Sequence, residues 1–296
     1  MTPLRVAVLG AGTMGAGIAQ ATAVSGHTTT LCDMTEELLE RGRARIEASL
    51  AKAVARAKLE PADADATRAR LTTTTQRAAA LATADVVIEA VPENMELKQR
   101  IFAEIDIEAP EAWLLGSNTS SLSVTEIASA TTRPERVMGL HFFNPPPIMK
   151  LVELIRGELS DTALVKRAED FVRSLGKSPV TVIDAPGFAT SRLGLTIGLE
   201  AIRMVEQGIA RPDAIDTAME LGYRHPMGPL KTGDYVGLDI RLDIAEHLCR
   251  ELGEAFRPPL LLRRMVRAGR LGRKSGEGFY RWDQDGRCLG PSEAFA

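Results

Sequence analysis

The 296-residue chain is poor in cysteine, and its three, Cys32, Cys249 and Cys288, are odd in number and far apart. That excludes a disulfide framework, and no metal-ligand spacing links them, so they read as free thiols and no metal is expected. The net charge is only −3 and no basic block stands out, which argues against a nucleic-acid partner. No apolar run approaches the roughly twenty residues that a membrane helix needs. The first strand begins by Leu4 and leaves no room for a signal peptide. Internal repeats and low-complexity linkers are also missing. What remains is a cytoplasmic, soluble chain, 45% hydrophobic, with enough residues for one large or two modest cores.

What is present begins with a carboxylate in an unlikely place. Gly139-Leu140-His141-Phe142-Phe143-Asn144-Pro145-Pro146-Pro147 reads as a strand ending in a histidine, then a turn stiffened by three prolines. Leu151-Val152-Glu153-Leu154-Ile155 then reads as a second strand, apolar on both faces apart from Glu153. An ionised glutamate there is costly unless something pairs with it, and His141 is the natural partner. A carboxylate on one imidazole nitrogen fixes the tautomer and presents the other nitrogen for proton transfer. Taken alone, the pair reads equally well as a satisfied core histidine beside a glutamate that meets solvent at a sheet edge.

The amino terminus carries a second signal. The apolar strand Leu4–Leu9 runs into Gly10-Ala11-Gly12-Thr13-Met14-Gly15 and then a helical stretch, the context that a G-x-G-x-x-G turn needs to bind a dinucleotide. Gly10 allows the tight turn, Gly12 lets the backbone approach a pyrophosphate, and Gly15 lets helix pack on strand. The next strand ends at Asp33, placed to hold the hydroxyls of an adenosine ribose and to repel a 2′-phosphate. NAD is therefore expected over NADP.

Strand and helix alternate to about residue 184. Within that stretch a helical pair, about 36–70, begins with the long pattern Glu36–Lys58. Strands are expected at 85–91, 113–117 and 179–183, with helices at 94–107 and 163–175. This predicts a Rossmann-type α/β domain, doubly wound and mostly parallel, over 1–184. Over 185–296 only helices are expected, forming a dimerisation and substrate domain. In it, residues 191–208 are apolar nearly all round, as in a helix buried inside a domain or against another subunit. His27 and His247 read as structural, and His225 receives no role.

The chain resembles the 3-hydroxyacyl-CoA dehydrogenase family, near its short-chain, 3-hydroxybutyryl-CoA dehydrogenase-like members. The resemblance rests on the glycine turn, Glu-Ala-Val-Pro-Glu-Asn at 89–94, Ser-Asn-Thr-Ser-Ser-Leu at 117–122, His-Phe-Phe-Asn-Pro at 141–145 and Leu-Val-Glu at 151–153. It continues through Pro-Gly-Phe at 186–188, Pro-Met-Gly-Pro at 226–229, Val-Gly-Leu-Asp at 236–239 and Gly-Arg-Lys-Ser-Gly-Glu-Gly-Phe-Tyr at 272–280. It implies reversible, NAD-dependent oxidation of a (3S)-3-hydroxyacyl-CoA, with His141 and Glu153 as the acid–base pair. Ser120 and Asn144 would contact substrate oxygen and cofactor. Glu93, Lys98 and Lys274 would touch the cofactor, and Ser49 and Arg56 would meet coenzyme A. A charged face of Arg41, Arg43, Arg45, Lys52, Arg56 and Lys58 is the plainer reading of that last stretch. Ser191 stands where better-known members carry an asparagine that reaches towards the substrate. A homodimer is implied. Two alternatives stay open: a dehydrogenase of a β-hydroxyacid without CoA, and a non-catalytic NAD-binding protein.

Overall fold

In the computed structural model, which describes residues 2–295, the chain divides into two compact units, one ending at Ala185 and the next beginning at Pro186. The first unit runs β1 (Arg5–Leu9), α1 (Thr13–Val24), β2 (Thr28–Cys32), α2 (Glu36–Ala55), α3 (Pro61–Arg70), β3 (Leu71–Thr74) and α4 (Arg77–Leu81). It continues with β4 (Val86–Glu89), α5 (Met95–Glu108), β5 (Leu114–Ser117), α6 (Val124–Ala128), β6 (Val137–Phe142), β7 (Leu151–Arg156), α7 (Thr162–Ser174) and β8 (Ser178–Ile183). The eight strands form one sheet in the order β3-β2-β1-β4-β5-β6-β7-β8, parallel except where β7 meets β6. Chain direction reverses its lateral progress between β1 and β4, and open α/β sheets bind ligands at the carboxyl ends of strands beside such a switch.

The elements follow from local chemistry. Side chains of Thr35, Asn94 and Asp161 accept backbone N–H groups at the starts of α2, α5 and α7, satisfying donors that a helix end leaves open. Leu39, Ile46 and Leu50 recur at helical spacing and give α2 its buried stripe. β4 and β6 are buried at every residue, so they read as unbroken apolar runs. Val8, Ile18, Leu31, Ile88, Leu140 and Phe171 lie in the core of this unit. Burial of each such side chain contributes about 1.5–3 kcal/mol. His27 is structural: its Nδ1 accepts the Leu4 N–H at 3.1 Å and its Nε2 meets Ser174 Oγ at 3.0 Å, while burial pushes its pKa down.

Two elements differ from expectation. The long helix ends at Ala55 rather than Lys58, and a further strand, β3, follows the helical pair. Its Thr72–Thr74 run is polar and half-exposed at the sheet edge, so it gives no apolar signal.

The second unit holds α8 (Thr190–Glu206), α9 (Pro212–Gly222), α10 (Pro229–Val236), α11 (Leu238–Leu252) and α12 (Leu260–Arg267). It also has a short antiparallel ribbon, β9 (Tyr280–Trp282) with β10 (Cys288–Pro291), which the helices-only expectation did not include. Buried Asp234 fastens that ribbon, accepting from Phe279 N, Tyr280 N and Trp282 Nε1 at 2.8–3.0 Å, and burial raises its pKa to about 6. Within α8, Leu195, Leu199 and Ile202 are buried but Leu193 and Ile197 are exposed, so the helix has a second apolar face rather than complete burial. Among the described residues no helix is long and apolar enough to cross a membrane.

Candidate active site

Antiparallel pairing of β6 with β7 sets His141 directly opposite Glu153. The imidazole Nδ1 lies 2.9 Å from Glu153 Oε2, Glu153 is fully buried, and His141 is 6% exposed. An ionised carboxylate can only accept, so in that state Nδ1 carries the proton and the tautomer is fixed. The Phe143 ring packs against the imidazole, and Asn118 Oδ1 accepts Phe142 N–H at 2.9 Å just beyond it.

At the carboxyl ends of β1, β2 and β4 a cavity of about 820 Å³ opens. Its floor is the glycine turn, including Thr13 and Met14. Gly10 has φ +100°, a conformation that side chains rarely adopt. A Cβ on Gly15 would lie 1.7 Å from Gly10 O, so helix and turn touch at that point. A Cβ on Gly12 would meet nothing within 4 Å, which leaves the backbone open to a ligand. Asp33 accepts Ala11 N–H through Oδ2 and Met34 N–H through Oδ1, both at 2.6 Å, and lines the same cavity. A glycine turn at a helix amino end with a carboxylate on the next strand fits a dinucleotide with an unphosphorylated ribose.

Beside this cavity is a buried charged chain. Lys98, which as a sequence reads as a solvated surface charge, is fully buried and donates to Glu89 Oε1 at 2.7 Å. It also lies 3.6 Å from Glu93 Oε2. Glu93 Oε1 in turn accepts Thr119 Oγ1 at 2.7 Å and Ser120 N–H at 3.0 Å, so it holds the loop that carries Ser120. Glu89 also accepts Ser117 Oγ and Val91 N–H, each at 2.7 Å. Sequence reasoning gave Glu89 no role, although a glutamate ending the apolar strand Val86-Val87-Ile88 is the same signal that singled out Glu153.

A second cleft, about 660 Å³, connects α2 with the proline turn. Ser49, Lys52, Arg56 and Lys58 line one side, Pro145, Pro147 and Ile148 another, and no acidic residue lines it. The charged face therefore divides: Arg41 and Arg43 are bound to Glu37 and Glu36, while Lys52, Arg56 and Lys58 face the cleft with Ser49. The spacing 49, 52, 56 places three of these on one helical face, which is the sequence signal for Lys52. Asn144 is exposed at the start of the proline turn. The structure thus brings His141 to Glu153, Asp33 to the glycine turn, Glu93 to Ser120 and Lys98, and Ser49 to Arg56. Lys274, bound to Asp239, and Ser191, in the first turn of α8, belong to the second unit.

The profile of the 3-hydroxyacyl-CoA dehydrogenase NAD binding domain matches residues 5–185, and that of the family's C-terminal domain matches residues 187–282. The chain belongs to the 3-hydroxyacyl-CoA dehydrogenase family. Its NAD-binding domain marks NAD as the cofactor, and its relatives are NAD-dependent oxidoreductases. A probable 3-hydroxybutyryl-CoA dehydrogenase of Deinococcus radiodurans is 44% identical over 281 residues, covering 94% of this chain and all of that one. The mitochondrial hydroxyacyl-coenzyme A dehydrogenase of Sus scrofa is 41% identical over 284 residues, 94% of this chain and 90% of its own. Among solved structures, the (S)-3-hydroxybutyryl-CoA dehydrogenase of Ralstonia eutropha superposes with a TM-score of 0.91 at 41% identity, covering 95% of this chain and all of that one.

Proposed function

We propose that this family member oxidises a (3S)-3-hydroxyacyl-CoA with a short acyl chain, such as 3-hydroxybutyryl-CoA, to the 3-ketoacyl-CoA, reversibly. The His141–Glu153 contact at 2.9 Å carries the reading. His141 takes the proton of the C3 hydroxyl, and Glu153 stabilises the imidazolium that results. Bound NAD supplies the acceptor for the C3 hydride. In the reductive direction the same imidazolium is the acid. Ser120 and Asn144 orient the substrate oxygen and the cofactor, and Glu93 keeps the Ser120 loop in place. Lys98, enclosed by Glu89 and Glu93, serves the cofactor side through Glu93. Lys274 and Ser191 serve cofactor and substrate from the second unit.

Coenzyme A fits better than a free β-hydroxyacid because the cleft from α2 to the proline turn is lined by cations and no acid. Ser49 and Arg56 are placed there to meet phosphates. Initial rates on C4, C8 and C16 3-hydroxyacyl-CoAs, with free 3-hydroxybutyrate alongside, test this. The C4 thioester is expected to be the best of the four. Free acid oxidised as efficiently as its thioester would remove coenzyme A from the reading. Through Asp33, NAD should exceed NADP by at least about tenfold in kcat/KM, or about 1.4 kcal/mol. Equal values would show that Asp33 does not meet the ribose.

Cys32, Cys249 and Cys288 are free thiols, which suits a cytoplasmic enzyme. The exposed Leu193 and Ile197 of α8 support a homodimer formed through residues after 185. A monomeric mass at micromolar concentration would overturn that assembly.

A further inference from the structure

Lys177 immediately precedes β8 and lines the cationic cleft, yet it is only 8% exposed. Its ammonium donates to Pro146 O at 2.6 Å and to Met149 O at 2.7 Å. Both carbonyls belong to the turn that joins the His141 strand to the Glu153 strand. Burial lowers the Lys177 pKa, and no neighbouring carboxylate counters it. A buried ammonium without an anion is costly, and an apolar side chain of similar length would fill the same space more cheaply. The two carbonyls are what the cation gains.

The turn is held from its other side as well. The Pro146 ring rests on Gly17 of α1, where a Cβ would come within 2.7 Å of Pro146 Cδ. The Lys177 ammonium and the Gly17 surface thus grip one residue between them. Pro145, Pro147 and Ile148, which flank it, form the apolar side of the cleft. The turn starts two residues after His141 and ends two residues before β7, so its placement bears on the position of the thioester relative to the dyad.

We propose that Lys177 is a positioning residue for the reaction: it ties down the proline turn as the wall that sets the acyl thioester against His141. The proposal rests on the acyl-CoA reading of the cleft. Its chemistry predicts dependence on the acyl end of the substrate and indifference to the nucleotide.

The test compares wild type, Lys177→Met and Lys177→Arg on two substrates: 3-hydroxybutyryl-CoA and the N-acetylcysteamine thioester of 3-hydroxybutyrate, which has no nucleotide. Methionine keeps length and volume but removes the donors, whereas arginine keeps a cation able to reach carbonyls. Lys177→Met should lose at least about tenfold in kcat/KM with both thioesters, and by the same factor, because misplacing a reactant by an ångström can cost up to about 10²-fold. Its NADH affinity, read by fluorescence titration, should stay within about twofold of wild type, and Lys177→Arg should recover most of the loss. A loss confined to the CoA thioester would make Lys177 a nucleotide ligand and overturn the proposal. So would unchanged kcat/KM, an arginine variant no better than methionine, or a parallel fall in NADH affinity and melting temperature. Wild-type enzyme that oxidised neither thioester would instead defeat the functional reading itself, before any variant was compared.

Discussion

His141→Ala should lose at least about 10²-fold in kcat while binding NADH normally. The two effects separate because the imidazole and the glycine turn sit at the ends of different strands, β6 and β1, and share no hydrogen bond. Glu153→Gln should fall between His141→Ala and any surface change nearby. It removes the charge opposite the imidazolium but keeps a group of the same shape against Nδ1. Because Glu153 is fully buried, the replacement also tests whether the loss is catalytic rather than structural. Stopped-flow hydride transfer and NADH titration on both variants give the two readings. Near-normal kcat in His141→Ala would remove it from the mechanism, and impaired NADH binding would show that the ring shapes the cofactor site.

The parts of the fold legible in the sequence are those where burial leaves a periodic mark. β1, β4 and β6 are enclosed on both faces and appear as apolar runs between glycine or polar breaks. The dyad was legible for the opposite reason: Glu153 is a charge where the pattern allows none, so it demanded a partner, and sheet register supplied His141. Lys98 was not legible in this way. Its partner Glu89 lies nine residues away across a strand-to-helix connection, and a lysine on an amphipathic helix gives no sign of total burial. Lys177 was silent too, because its partners are backbone carbonyls, which every residue carries. For α8 the sequence showed two apolar faces but not which of them the second unit would use. Leu193 and Ile197 are the face left over, and one chain's sequence contains no record of what covers it.

The glycine turn gives the sharpest contrast between fold and function, because two of its glycines should fail in different ways. Gly15→Ala places a methyl carbon 1.7 Å from the carbonyl oxygen of Gly10 and 2.9 Å from its carbon. Neither is a flexible side chain, so α1 must move away from the turn. Overpacking of this kind typically costs about 1–3 kcal/mol, and here the contact is backbone, so the upper end is expected. The shift also misaligns the amino end of α1, and NADH affinity should fall at least about 10²-fold. Gly12→Ala meets no atom within 4 Å, and Gly12 has φ −65°, which alanine adopts without strain. Its melting temperature should therefore stay near wild type, since substitutions away from packed features usually change stability by about 0.5 kcal/mol or less. Yet its methyl group projects where the pyrophosphate must approach, so NADH affinity should fall at least about tenfold. Calorimetry with NADH titration on the two variants separates the cases. Normal NADH binding by Gly12→Ala would move the pyrophosphate away from that opening. A stable, fully binding Gly15→Ala would mean that α1 can withdraw from the turn without disturbing the cofactor.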